Sequence, residues 1–178
     1  MDATVRRLAG ARLDGEAALI RDWDRLAAQA SEPNPFLESW YLIPALTHCQ
    51  PAGTGAELLL VEQAGGLIGL LPLSAETRHG RWPLPHWQGW HHPNAFLGTP
   101  LVKRGAEETF WRAVLAELDR RAGRGLFLHL RGLDPAGPVA TALEAVCRAT
   151  QRPCGIVHRE ARALLQSSLT PLSYYEQA

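Results

Sequence analysis

"AELLLVEQAGGLIGLLPLSAE", Ala56 to Glu76, decides how this chain folds. Two apolar runs flank Ala64-Gly65-Gly66. A short Gly-containing break set between runs of Leu, Val and Ile signals a β-hairpin. Upstream, "PAGTG" separates this hairpin from two helices. Asp14 can cap the first, which runs to about Ala30; Leu19, Ile20, Trp23, Leu26, Ala27 and Ala30 recur on it at three and four. "SEPNPF" then breaks the chain, because two prolines disfavour helix on both sides. Ser39 to about His48 is the second helix, with Trp40, Leu42, Ile43 and Leu46 as its apolar positions. Pro44 removes one of its hydrogen bonds and predicts a kink or a short first turn. Before Asp14, "ATVRRLAGARL" reads as the first strand.

Downstream of the hairpin, "RWPLPHWQGW" contains two prolines, which predicts an irregular or edge strand. Glu107 to Ala122 is the clearest helix, with Phe110, Trp111, Val114, Leu115 and Leu118 in one stripe. "GLFLHLRGL" reads as a buried strand. Pro138 sits near the start of a helix whose face is Val139, Ala142, Leu143, Val146 and Cys147. "CGIVHREARALL" reads as a last strand. The order β-α-α-β-β-β-α-β-α-β describes an α+β (mixed α/β) domain with one central sheet flanked by helices.

The 178 residues suit one ordinary domain with a real core. Acidic and basic residues balance at 18 each, whereas a general nucleic-acid binder shows a basic excess. No run of about 18 apolar residues exists to span a membrane, and "MDATVRRLAG" lacks the apolar core of a signal peptide. A cytoplasmic protein is the expectation. Cys49, Cys147 and Cys154 are odd in number and lack zinc-ligand spacing. Cys147, on a predicted apolar face, reads as a buried thiol.

The chain's last residues, "LTPLSYYEQA", place Ser173 and Glu176 at the spacing of a capping box. A helix nucleus with no helix after it is unfavourable. We therefore expect a domain over residues 1–165, and over 166–178 the start of a linker or helix leading to a further half; a frayed terminus is the alternative.

The oddest stretch is "GWHHPNAFLGTPLV", Gly89 to Val102. Neighbouring side chains on a strand point to opposite faces, so His91 and His92 are poorly placed to chelate one metal, and no metal site is expected. A His-Pro-Asn turn with locally bonded histidines is the simpler reading. The functional alternative is that His91, His92 and Asn94 contact a substrate in an acceptor cleft. Trp82, Trp87 and Trp90 crowd the same region. They can stack on a sugar, line an acceptor groove, or be buried at an interface, which is the preferred reading. His129 reads as a satisfied core histidine, and His158 and Arg159 as sheet-edge residues. No catalytic base is identifiable.

"NPFLESWYLIPAL", "LLLVEQAGGLIGLLPL" and "GWHHPNAFLGTPLV" resemble the N-terminal half of CelD-like bacterial acetyltransferases of the GNAT superfamily. These are similar to FemAB-type aminoacyl transferases, which carry two GNAT-like halves. The element order resembles the GNAT fold too, and the likeness runs from about Trp23 to the end. It implies a central, mostly antiparallel sheet. It also implies transfer of an acyl group from acetyl-CoA or another acyl-CoA to an amine or hydroxyl, such as one on a cell-envelope or polysaccharide precursor. In such tandem proteins the donor site belongs mainly to the C-terminal half, and the first half shapes the acceptor cleft and braces the second. That C-terminal half would be this chain's partner.

A GNAT domain that holds CoA does so with backbone N–H groups at a strand-to-helix junction, helped by the helix N-terminus. The corresponding junction here is "FLGTPLVKRGAEETFW". Gly98 and Gly105 are too far apart for the glycine-rich loop, Pro100 lacks an N–H, and Glu107 and Glu108 would repel a phosphate. Lys103 and Arg104 argue the other way. The expectation is that these residues do not hold CoA in the usual manner. A non-catalytic ligand- or partner-binding module on a degenerate GNAT fold is the competing expectation, since such folds host several functions.

Overall fold

The computed structural model describes residues 3–9, 16–49, 55–121, 123, 125–161, 170 and 173. Along them run β1 (Thr4–Ala9), α1 (Ala17–Ala28), a 3₁₀ turn (Pro35–Leu37), α2 (Ser39–His48), β2 (Glu57–Gln63) and β3 (Gly66–Glu76). There follow β4 (His86–Gly89), β5 (Leu101–Val102), α3 (Glu107–Asp119), β6 (Leu128–His129) and α4 (Pro138–Ala149).

The hairpin forms as the sequence dictates. Gln63 pairs with Gly66, and the two turn residues between them, Ala64 and Gly65, have φ of 51° and 77°. Two positive φ values give the turn the twist that the strands require. The sheet grows outward from this pair in the order β1-β2-β3-β4-β6, with β5 also on β3. Every pairing is antiparallel except β4 with β6.

Alternation along β2 feeds two cores. Leu59 and Val61 face α3 and α4, joining Leu71, Leu73, Trp87, Phe110, Trp111, Val114, Val139 and Val146. Leu58 and Leu60 face α1 and α2, joining Leu19, Trp23, Leu26, Leu42, Leu46, Leu70 and Leu101. Trp23 and Trp111 are fully buried, and each indole N–H reaches a carbonyl at 2.8 Å, of Leu37 and Val139 respectively. Truncating either to alanine would cost about 3–5 kcal/mol. α3 lies close because β3 carries Gly69 beneath it: a Cβ there would stand 2.1 Å from the Phe110 ring.

Several expectations need correction. β4 is interior rather than an edge, paired on both sides, because Pro83 and Pro85 precede the strand and spoil none of its hydrogen bonds. β5 is an additional strand within the puzzling stretch. Cys154–Glu160 is not a strand: residues 153–161 lie outside any sheet and are exposed. His158 and Arg159 are therefore not sheet-edge residues. α1 begins after Glu16, which makes no side-chain cap; Asp14, the expected cap, lies outside the described residues, as do residues 10–13 of the expected first strand. Ser173 is not the cap of the final turn, since its own N–H donates to Thr170 Oγ1 at 3.2 Å; Glu176 is outside the described residues.

Pro44 sits inside α2 without ending it; the bond it forfeits is that to the Trp40 carbonyl, in the helix's first turn. α4 starts at Pro138, as its ring geometry favours. Its first turn is capped from afar, by Glu32 Oε1 accepting from the Val139 N–H at 2.9 Å. Cys147 is buried on its face. Glu117, also buried, anchors a charge network with Arg7, Arg120 and Arg121, while Arg7 also pairs with Glu57 and lies over the Trp87 ring.

Candidate functional site

β4 and β5 lie end to end along one edge of β3. Gly89 pairs with Leu73 and Leu101 with Leu70, and the Trp90 N–H donates to Pro72 at 2.9 Å. A continuous strand would need one residue between Trp90 and Leu101. The chain spends ten, His91 to Pro100, and throws them out as a loop on the side of α1 and α2.

The loop is anchored from "SEPNPF". Asn34, buried, donates from Nδ2 to the Thr99 carbonyl at 2.7 Å and to that of Leu97 at 3.4 Å. Its Oδ1 accepts from the Phe36 N–H. Farther out, Gly98 donates to the Gly132 carbonyl at 3.0 Å. A Cβ on Gly98 would fall 1.9 Å from the Arg131 carbonyl oxygen, so this crossing of the β4 and β6 ends requires glycine.

His91 and His92 diverge. His91 lies toward Gly98 and Arg131. His92 turns toward α2, where its Nδ1 accepts from the Asn94 N–H at 3.2 Å and lies 3.3 Å from the Tyr41 hydroxyl. With Nδ1 as acceptor, the neutral ring carries its proton on Nε2. The His92 carbonyl accepts from the Ala95 N–H at 2.8 Å, closing the turn. Asn94 stands exposed at the turn, contributing its backbone. The structure thus brings His92 to Tyr41, with Asn94 joining through its backbone N–H, while His91 lies on the other side, toward Gly98.

Around His92 runs a chain of edge-to-face rings. Phe36 meets Tyr41 at 5.2 Å and Phe96 at 5.8 Å, and Trp40 meets Tyr41 at 5.8 Å. Trp40 and Phe96 are 66% and 63% exposed, an aromatic lip facing solvent. Behind Trp40, whose indole N–H donates to Glu38, opens a groove of about 440 Å³ lined by Asp24, Ala27, Ala28, Glu38, Ser39 and Trp40. Sequence reading missed Asn34, Phe36, Tyr41 and Phe96. Only Asn34, set between two prolines as a turn-forming residue, left a local signal.

The three tryptophans separate. Trp87 is buried in the core, Trp90 packs at the rim of the α1–α2 core, and Trp82 is exposed. His129 is not a satisfied core histidine: its Nδ1 is buried without a hydrogen bond among the described residues. Burial, with the charges of Arg131, His79 and His86, pulls its pKa below the usual histidine value. His79 stands 5.3 Å from His86 and 5.2 Å from His129, ring to ring. Among the described residues no three His, Cys, Asp or Glu side chains are arranged to hold a metal ion.

At the strand-to-helix junction the backbone donors are already engaged. Lys103 donates to Ile68, Arg104 to Gln29 and Ala106 to Lys103, while Gly105 donates to Glu107 Oε1 at 3.1 Å. Glu107 and Glu108 occupy the first turn of α3.

A hairpin-centred, mostly antiparallel sheet with helices on both faces, and one parallel pair (β4 with β6) joined through α3, is the GNAT acyltransferase fold. Among solved structures the chain is similar to a ribosomal-protein-alanine N-acetyltransferase from Brucella melitensis biovar Abortus 2308, at 12% identity and TM-score 0.53, over 92% of this chain and 100% of that one. It is similar as well to an aminoglycoside acetyltransferase from an uncultured soil metagenomic sample, at 12% identity and TM-score 0.50, with the same coverage. At such identity the likeness is one of fold. No family model matches the chain, and no curated protein matches it. Among the described residues no helix is long and apolar enough to cross a membrane.

Proposed function

We propose that this chain is the acceptor-side, GNAT-like part of an acyltransferase that moves an acyl group from acyl-CoA to an amine or hydroxyl. The acceptor is a small molecule or a cell-envelope or polysaccharide precursor. The donor is bound mainly by a second, CelD- or FemAB-like half, which this chain braces. The observation that carries the reading is the occupied junction: residues 103–106 spend their four N–H groups on the protein, and carboxylates fill the helix start where a pyrophosphate would need positive potential. The acceptor lies at the loop from His91 to Pro100, between the aromatic lip and His92. Tyr41 positions His92 there, and Trp40 and Phe96 supply faces for stacking. Acyl-CoA supplies the activated thioester.

A non-catalytic binding module is the second reading, favoured by the exposure of Trp40 and Phe96. Calorimetric titration of acetyl-CoA into the folded 178-residue chain tests the first. No heat, with circular dichroism showing an intact fold, is the expected outcome. Micromolar binding would place the donor site on this chain and overturn the division of labour.

A further inference from the structure

The sheet ends, before β4 and before β6, in two turns that carry large apolar side chains into solvent. Trp82 (58%) and Leu84 (39%) come from the first turn, Leu126 (69%) and Phe127 (38%) from the second. The Leu126 N–H donates to Pro85 and the Trp87 N–H to Phe127, both at 2.9 Å, so the four side chains share one tip. That tip stands on a firm base. Buried His86 stacks on Phe127 at 4.8 Å and 7°, and His79 meets both rings edge-on. His79 and Trp82 exchange two backbone hydrogen bonds, at 3.0 and 3.1 Å. A preformed surface has little conformational entropy to lose on binding.

Two arginines flank it. The Arg81 guanidinium lies 5.3 Å over the Trp82 ring, and Arg78 donates to the Arg81 carbonyl. Neither arginine is in an ion pair among the described residues. The nearby acid, Glu76, is turned inward to accept from Ser74 Oγ at 2.8 Å.

Contiguous exposed apolar groups mark a docking surface. Here they project from chain reversals instead of lining a groove, and arginines with apolar stems flank them. Such groups suit a bilayer interface: Trp, Leu and Phe enter the headgroup–acyl boundary while guanidinium groups stay among the phosphates. We propose that this tip is a peripheral docking surface for an anionic lipid bilayer, with Trp82, Leu84, Leu126 and Phe127 inserted and Arg78 and Arg81 on lipid phosphates. The proposal is independent of the acyl-transfer reading.

Vesicle flotation with the whole chain tests it, using phosphatidylglycerol–phosphatidylcholine vesicles beside pure phosphatidylcholine ones. Binding is expected to the anionic vesicles and to weaken as sodium chloride rises. Arg78→Glu with Arg81→Glu should lower the partition coefficient at least about tenfold, and Trp82→Ser with Leu84→Ser should abolish it. All four residues are at the surface, so circular dichroism should show the fold retained. Failure to float with anionic vesicles overturns the proposal, as does equal, salt-insensitive binding to neutral ones. Self-association in sedimentation velocity that Trp82→Ser removes, without vesicle binding, would give the surface to a second copy instead.

Discussion

Asn34 holds Thr99: its Nδ2 reaches the Thr99 carbonyl at 2.7 Å from 65 residues away in the chain, and both residues are buried. This contact ties the break after α1 to the end of the loop that carries His92. Asn34→Ala would strand the Thr99 carbonyl and the Phe36 N–H. We expect a loss of about 2–3 kcal/mol in urea unfolding, with Asn34→Asp hardly better because a carboxylate cannot donate.

Gly98→Ala should act on the same loop from its other side. The new methyl would collide with the Arg131 backbone, which cannot swing aside as a side chain can. We expect a cost of about 1–3 kcal/mol and increased amide exchange at Gly98, where the bond to Gly132 is lost. Unchanged exchange there would show that the crossing is not held as described.

The hairpin turn offers a gain. Ala64 holds a φ of 51°, a conformation that costs an L-residue roughly 1–2 kcal/mol. Glycine escapes that cost but loses more entropy on folding. Ala64→Gly should therefore stabilise the protein by about 0.5–1 kcal/mol, read as a rise in the urea midpoint with an unchanged slope.

Acid should weaken the β4–β6 seam. The His129 pKa is lowered in the folded state by burial first, then by Arg131, His79 and His86. The unfolded chain, with His129 near the usual 6.5, takes up the proton earlier. Stability is full above about pH 6.5 and declines as the pH falls from there through the folded-state value. His129→Leu should flatten that decline. Glu117 acts in a lower window: burial alone would raise its carboxyl, but hydrogen bonds from Arg120, Arg121 and Arg7 outweigh this and hold it below 4.5. Urea midpoints measured between pH 7 and pH 5 isolate the histidine part.

Much of the fold was legible because its signals are local. Val61 and Leu71 announce strands because each sits in a short apolar run beside a small-residue turn, and Phe110, Val114 and Leu118 announce a helix by their spacing. What stayed hidden depends on distant partners. Leu101–Val102 is a strand only because β3 runs past it. Pro85 looked like the mark of an edge, yet it ends just where β4 begins. The Glu32 cap on α4 spans 107 residues. The site was legible only as a loop: the turn at His92 follows from Pro93 and Asn94, but its link to Tyr41 comes from where α2 docks. His129 looked like core on an apolar run, and only the approach of His79 and His86 reveals its unpartnered nitrogen.

The split strand along β3 makes the His91–Pro100 loop a cassette. Its two ends are fixed opposite nearby residues of β3, Pro72 and Leu70, so its length and composition can change while the sheet register stays in place. A variant in which one residue joins Trp90 to Leu101 should keep the sheet and shed the lip around His92. Exchange of that loop alone is then a route by which one scaffold changes the surface it presents beside α2.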